Sequence, residues 1–498
     1  MEKFYITTPI YYPSAKPHMG HAYSSIAADV IARFKKIQGY EVSFLTGTDE
    51  HGLKIQKAAQ KINKDPQVFC DEISKTFVDL AEKLNLSHTD FIRTTEQRHK
   101  ITAQKIWSLL EKNDQIYLSK YAGWYSVSDE AYYSEDEIEV RDGNKISIAS
   151  GSKVEWMEEE SYFFKLSEWG DKLLEYYENN PDFIKPDSRK NEVISFVKQG
   201  LKDLSISRTT FNWGIPVPNH SKHVMYVWLD ALTNYVSATN FFNKHNGFWP
   251  SDVHIIGKDI LRFHAIYWPA FLMAAELPLP KKVFGHGWIL SGEEKMSKSK
   301  GNILDPLELM NDFGVDEIRY YLMKEVVFGL DGKINLDNLK TCVNDLANNI
   351  GNLSNRLFTL ISKYFNNKVP SISQNYSMNE NLIVNRKNFE KLMDNFEIHN
   401  YIKEVHAYSS LVNKYVNDNE PWDRKKNSEE NIGNILFSSL NSLKNIFVFL
   451  YPVIPSKSKL FLGNLNINEK EIFLNLIDKQ LEPGQNITNP EILFKKYD

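Results

Sequence analysis

The chain opens with an apolar run over residues 3–8, which predicts a buried strand. From 20 to 37 the period changes: Ile26, Val30, Ile31 and Phe34 recur at helical spacing, and Gly39 stands where a C-cap belongs. A second apolar stretch over 40–46 leads into Gly47-Thr48-Asp49-Glu50-His51-Gly52. Strand, glycine-containing loop, helix, strand predicts the opening of a parallel α/β sheet. Helices follow over 66–84 and 95–112. Between 115 and 213 the texture turns to short Tyr, Trp and Phe runs broken by acidic stretches such as 134–137 and 158–160, which predicts an inserted β-rich or mixed domain. The α/β pattern then resumes, with a helix over 227–242, a strand over 253–256, a helix over 259–275, strands near 283 and 288–290, and a polar Lys/Ser loop. Beyond about 335 the spacing is helical almost throughout, in 339–365, 388–416 and 431–450. The remainder is short and mixed, and there is no internal repeat.

Composition narrows the classes. The 498 residues are 42% hydrophobic and 25% charged, which excludes a wholly disordered or fibrous chain. The longest apolar stretches, such as 446–455, fall short of the roughly 18 residues that span a bilayer. No signal or transit peptide is expected ahead of the first strand. Two cysteines, Cys70 and Cys342, cannot form a disulfide framework or a cysteine-based zinc site alone, so a reducing cytoplasm is expected. The net charge of −5 disfavours a nonspecific nucleic-acid coat, while leaving room for a local basic face that docks one structured RNA.

Two motifs carry chemistry. Pro17-His18-Met19-Gly20-His21 lies between the first strand and its helix. A helix N-terminus offers free N–H groups and partial positive charge to a phosphate, and Gly20 lets a flat ligand approach. Two histidines three apart can donate to phosphate oxygens in a transition state, or can merely cap the helix. Lys295-Met296-Ser297-Lys298-Ser299-Lys300 follows a strand and precedes a helix. Three lysines with small hydroxyl residues suit a loop that closes over a polyphosphate, or a solvated basic loop.

Together the motifs resemble the two signatures of the class I aminoacyl-tRNA synthetases, with Met19 in place of the usual Ile of the first. The resemblance narrows to methionyl-tRNA synthetases through Thr8-Pro9-Ile10-Tyr11-Tyr12, the 47–52 loop, Tyr226-Val227-Trp228-Leu229-Asp230-Ala231, Ile256-Gly257-Lys258-Asp259-Ile260-Leu261-Arg262-Phe263-His264 and Tyr267-Trp268-Pro269-Ala270. It runs from residue 4 to about 450. The insert lacks the Cys-x-x-Cys knuckles of many relatives, so no structural zinc is expected.

The resemblance implies an α/β fold: a Rossmann-like parallel sheet split by an inserted mixed or β-rich domain and followed by an α-helical anticodon-binding bundle. The expected divisions are 1–114, 115–213, 214–334 and 335–498. It implies a methionine–tRNA ligase that uses ATP with Mg²⁺ and serves tRNA(Met), the initiator included, as a cytoplasmic monomer. His18, His21, Lys295 and Lys298 would be catalytic, and would bind ATP with Gly20, Gly257 and Asp259. The methionine site would be Ile10, Tyr12, Asp49, Trp228, Ala231, Tyr235, Ile260, Phe263, His264 and Trp268. Such a box suits a flexible side chain with a polarizable sulfur, with Asp49 as the anchor for its ammonium. Asn352, Arg356 and Trp422 would read the anticodon. Two other readings stay open at this point: a nucleotidyltransferase acting on a small molecule, and a non-catalytic tRNA-binding relative.

Overall fold

The computed structural model describes the chain apart from residues 15, 130, 245, 292–293, 296–304, 374–375, 378–379, 490–491 and 498. Its centre is a parallel sheet of six strands in the order Asp90–Arg93, Glu41–Thr48, Lys3–Thr7, Val253–Gly257, Val283–His286 and Ile184–Lys185. Strand order runs one way from Lys3–Thr7 to Asp90–Arg93 and the other way from Val253–Gly257. The carboxyl ends of the two middle strands therefore border a topological switch point, where α/β sheets gather their ligands.

Alternation along the strands assigns the two faces. Phe4 and Ile6 pack with Phe44, Val253 and Ile255 under the helix Met19–Ile37. Tyr5 joins Leu45, Ile92 and Ile256 under the helices Gln97–Lys112, Val227–Ser237 and Trp268–Ala274. The first core continues without a break into the C-terminal helices Ile398–Asn419 and Glu429–Leu450. Met19–Ile37, covered on both sides, is buried along most of its length.

Residues 116–225 add antiparallel sheets. One has the order Leu204–Ser205, Glu155–Phe164, Ile116–Ser126, Ala131–Tyr133, and another Ser207–Arg208, His220–Met225, Pro216–Val217. The Ile184–Lys185 strand lies inside the 115–213 span yet pairs with the parallel sheet, and His220–Met225 carries the antiparallel set beyond 213.

The helix expected over 259–275 is broken. A 3-10 turn at Lys258–Ile260 leads into a π-helical turn at Phe263–Tyr267 and then the α-helix Trp268–Ala274. The cause is Pro269, which has no N–H for the carbonyl of Ala265. The hydroxyl of Tyr177 donates to that carbonyl instead. Among the described residues, no helix is long and apolar enough to cross a membrane.

Candidate active site

Three neighbouring strands end at the site. Lys3–Thr7 leads through a loop to His18, Glu41–Thr48 leads directly to Asp49, and Val253–Gly257 leads to Lys258 and Asp259. Backbone bonds lock the first two together: Tyr11 N donates to Gly47 O at 2.8 Å, and Asp49 N donates to Tyr11 O at 2.9 Å.

His18 is the N-cap of Met19–Ile37. Gly20 N donates to His18 Nδ1, and His18 N donates to His21 Nδ1, both at 3.1 Å. The rings lie 3.9 Å apart between centroids. Because both Nδ1 atoms accept a backbone N–H, each neutral ring carries its proton on Nε2. The helix cap thus uses the Nδ1 edge of each ring and sets its tautomer. A Cβ on residue 20 would lie 3.0 Å from His18 Cε1, so Gly20 makes room for this pairing. Tyr11 and Phe77 support His21, with ring centroids 4.8 and 5.3 Å away.

The aromatic residues predicted for the methionine site come together. Trp228 and Phe263 stack at 3.7 Å with an interplanar angle of 4°. His264 stands edge-on to Trp228 at 6.3 Å, and Tyr235 lies 6.3 Å from Trp268. Ile10, Tyr12 and Ile260 pack at the partly buried margin of the same core, and Ala231 is buried. His264 Nδ1 donates to Ile260 O at 3.0 Å, so Nε2 accepts the Tyr235 hydroxyl at 2.7 Å. Burial pushes the His264 imidazole down to about 4, and the ring is neutral at physiological pH. Tyr12 donates its hydroxyl to His51 O at 3.0 Å.

Asp49 is buried at the strand end, next to a very different carboxylate. Glu50 accepts from Arg93 Nε at 2.7 Å and from the hydroxyls of Thr48, Ser74 and Thr95 at 2.6–2.7 Å. Burial would raise its pKa, but these donors outweigh it and hold Glu50 below the usual carboxylate range.

Gly257 has a use the sequence did not suggest. A Cβ there would lie 2.6 Å from Asp259 Oδ1, so its absence lets that carboxylate fold back, where Trp288 Nε1 donates to it at 3.3 Å. Lys295 stands in the short strand Glu294–Lys295, paired antiparallel with Ile289–Ser291. Lys298 lies outside the described residues.

In the helical part, Asn352 is exposed at the start of Asn352–Phe365. Arg356 Nη1 donates to Asn417 Oδ1 at 2.6 Å, and Nη2 donates to Asn413 Oδ1 at 3.1 Å. Its guanidinium lies 5.9 Å from the ring of Trp422, which is 42% exposed and so is not a core tryptophan.

Sequence reasoning missed the buried polar residues behind the site. Asp230 accepts from His51 and His99, and His286 Nε2 lies 2.7 Å from Ser24 Oγ beneath the first motif. His51 and Asp230 stood inside quoted motifs, but nothing local pairs residues 179 positions apart. Among the described residues, no group of three or more His, Cys, Asp or Glu side chains is arranged to hold a metal ion.

Residues 4–142 and 141–358 match the family described as tRNA synthetases class I (M). Residues 369–498 match the anticodon binding domain of methionyl tRNA ligase. A methionine–tRNA ligase of Rickettsia conorii is 49% identical, with 99% of each chain covered. One of Brucella suis is 46% identical, covering 100% of this chain and 98% of its own. The Mycobacterium tuberculosis methionyl-tRNA synthetase in complex with methionyl-adenylate is 40% identical, superposes with a TM-score of 0.97 and covers 100% of both chains. The apo form of that enzyme gives 0.90 at 37% identity, covering 100% of this chain and 99% of its own.

Proposed function

The chain belongs to the class I methionyl-tRNA synthetases, and from its membership as an ATP-dependent methionine–tRNA ligase we propose how its own residues divide the work. Asp49 takes the methionine ammonium. Trp228, Phe263, Tyr235, Trp268, Ala231, Ile10, Tyr12 and Ile260 enclose the thioether, with neutral His264 at their edge. A neutral, apolar box of this kind favours an uncharged side chain over a cationic one of similar length.

His18 and His21 present Nε2–H to the phosphates of ATP at the helix N-terminus, with Gly20, Gly257 and Asp259 shaping the nucleotide site. Lys295 and Lys298 close over the polyphosphate. Mg²⁺ arrives as the counter-ion of ATP. The methionine carboxylate attacks the α-phosphorus, the bond to the β-phosphate oxygen breaks, and pyrophosphate leaves. No side chain acts as a covalent nucleophile. Catalysis is positioning plus stabilisation of growing phosphate charge. The terminal ribose hydroxyl of tRNA then attacks the acyl carbon and releases AMP. Asn352, Arg356 and Trp422 receive the anticodon, for initiator and elongator tRNA(Met) alike. The divisions 1–114 and 214–334 form the catalytic unit, 115–213 the insert without zinc, and 335–498 the anticodon unit, in a monomer working in the cytoplasm.

The observation that carries this reading is the meeting of the His18/His21 helix start, Asp49 and Gly257 at the carboxyl ends of three adjacent strands. Pyrophosphate exchange driven by each amino acid in turn, on wild type and Trp422→Ala, tests both ends of it. Methionine alone should drive strong exchange. A base–aromatic stack is worth roughly 1–3 kcal/mol, so Trp422→Ala should lower tRNA charging by about one to two powers of ten and leave exchange intact. Exchange falling in step with charging would remove Trp422 from the anticodon site.

A further inference from the structure

Between the methionine box and the loop that carries Asp49 lies a carboxylate that the reaction scheme leaves unused. Asp230 is fully buried. His51 Nδ1 donates to its Oδ2 and His99 Nε2 to its Oδ1, each at 2.7 Å. The three residues come from three elements. His51 lies two residues after Asp49, and Trp213 rests edge-on against its ring at 5.5 Å. Asp230 sits between Trp228 and Ala231 on Val227–Ser237, the helix that also carries Tyr235. His99 belongs to Gln97–Lys112, and its Nδ1 lies 3.1 Å from Ser237 Oγ on that same helix.

A buried ion is poor value as glue, since apolar residues of equal volume often stabilise as well or better. What two 2.7 Å bonds in different directions supply is a fixed position. We propose that Asp230 is a positioning residue for methionine: it sets the spacing between the ammonium anchor Asp49 and the side-chain walls Trp228, Ala231 and Tyr235. ATP meets the site through other elements, so its binding does not depend on this spacing. The inference rests on the pocket assignment made above.

Steady-state exchange on the full-length enzyme separates this role from bulk stability. Asp230→Asn should raise the methionine KM by about tenfold or more, as small misplacements of a binding group do, with the ATP KM within about twofold of wild type. His99→Asn cannot bring its amide nitrogen to the place of Nε2 and should raise the methionine KM in the same way. His99→Gln reaches that place and should recover most of the loss. This pair decides the matter should Asp230→Asn fail to fold. Equal shifts of the two KM values in Asp230→Asn, or indistinguishable Asn and Gln variants at 99, would reduce the cluster to scaffolding. Asp49→Asn is measured alongside. If it leaves the methionine KM unchanged, the pocket assignment falls. If it raises the KM while the 230 and 99 variants do not, only the positioning role falls.

Discussion

Asp49 and Glu50 are neighbours in the chain with opposite fates. One ends a strand at the site, and the other turns inward to Arg93 and three hydroxyls, where its charge is fully hydrogen-bonded. Buried titratable residues of this kind give the protein a two-stage acid response. His264 is lowered from 6.5 to about 4, and burial also lowers His254 and His286. Between those values the unfolded chain binds protons that the folded one refuses. The stabilisation from His264 is therefore complete above about pH 6.5 and lost as pH falls toward 4, and His254 and His286 act in the same direction. At 1.4 kcal/mol per unit, His264 alone accounts for about 3 kcal/mol. Asp230 follows at lower pH: burial would raise it, but His51 and His99 hold it at about 2. Asp29 and Glu50, also depressed, lose their contribution there too, while Asp316 and Glu317, raised by burial, act in the opposite sense. The melting temperature should fall first between pH 6.5 and 4 and again below 4. A flat profile from pH 7 to 5 would contradict the first stage.

Among the elements, two glycines at strand and helix ends separate chemistry from support. Gly47 pairs with Ile92, and a Cβ there would lie 2.0 Å from the Ile92 carbonyl oxygen. The neighbour is backbone and cannot swing aside. Gly47→Ala should cost at least the roughly 1–3 kcal/mol of an overpacked core, spread the strands just before Asp49, and weaken methionine binding. At Gly20 the nearest atoms are the His18 ring, at 3.0 and 3.1 Å, which can rotate out of its cap. Alanine gains roughly 0.5–1 kcal/mol of helix propensity at most positions, offsetting the lost cap bond. Gly20→Ala should therefore melt near wild type while exchange turnover drops about tenfold, through the displaced histidine. Thermal melts and exchange rates on both variants check the contrast, and early melting of Gly20→Ala would overturn it.

Across the whole molecule, one arginine joins the parts. Arg319, fully buried, donates to Asp29 Oδ2 at 2.6 Å and to the carbonyls of Leu84, Pro452 and Val453 at 2.9–3.1 Å. Asp29 lies on the helix that begins at His18, and Pro452 and Val453 follow the last long helix of the bundle. Arg33 Nε also donates to Asp29, at 2.7 Å, and Ser87 contributes its N–H and hydroxyl. The helix capped by His18 and the C-terminal helices thus share both an apolar core and a polar joint. A lysine cannot reach four acceptors in a planar fork. Arg319→Lys should cost more than about 2 kcal/mol and Arg319→Met about 3–5 kcal/mol, since three buried carbonyls would lose this donor and the buried Asp29 carboxylate would lose one of its two cationic partners. Unfolding free energies from urea titration within about 1 kcal/mol of wild type for both would show the joint to be dispensable.

The order of strands and helices, the insert and the helical tail were legible in the sequence because period and composition are local quantities. The two motifs proposed for the nucleotide and the aromatic residues proposed for methionine stood out in the sequence because each sits in a short string whose chemistry is in its residue types. Pro269 was in plain view, yet the π-turn it forces depends on Tyr177 arriving to satisfy the Ala265 carbonyl. The neutrality of His264, the Asp230 cluster and the Arg319 joint were decided only by the tertiary structure. Each depends on which donor meets which acceptor across 100 residues or more of chain, or on how much water burial removes, and neither is encoded in local spacing.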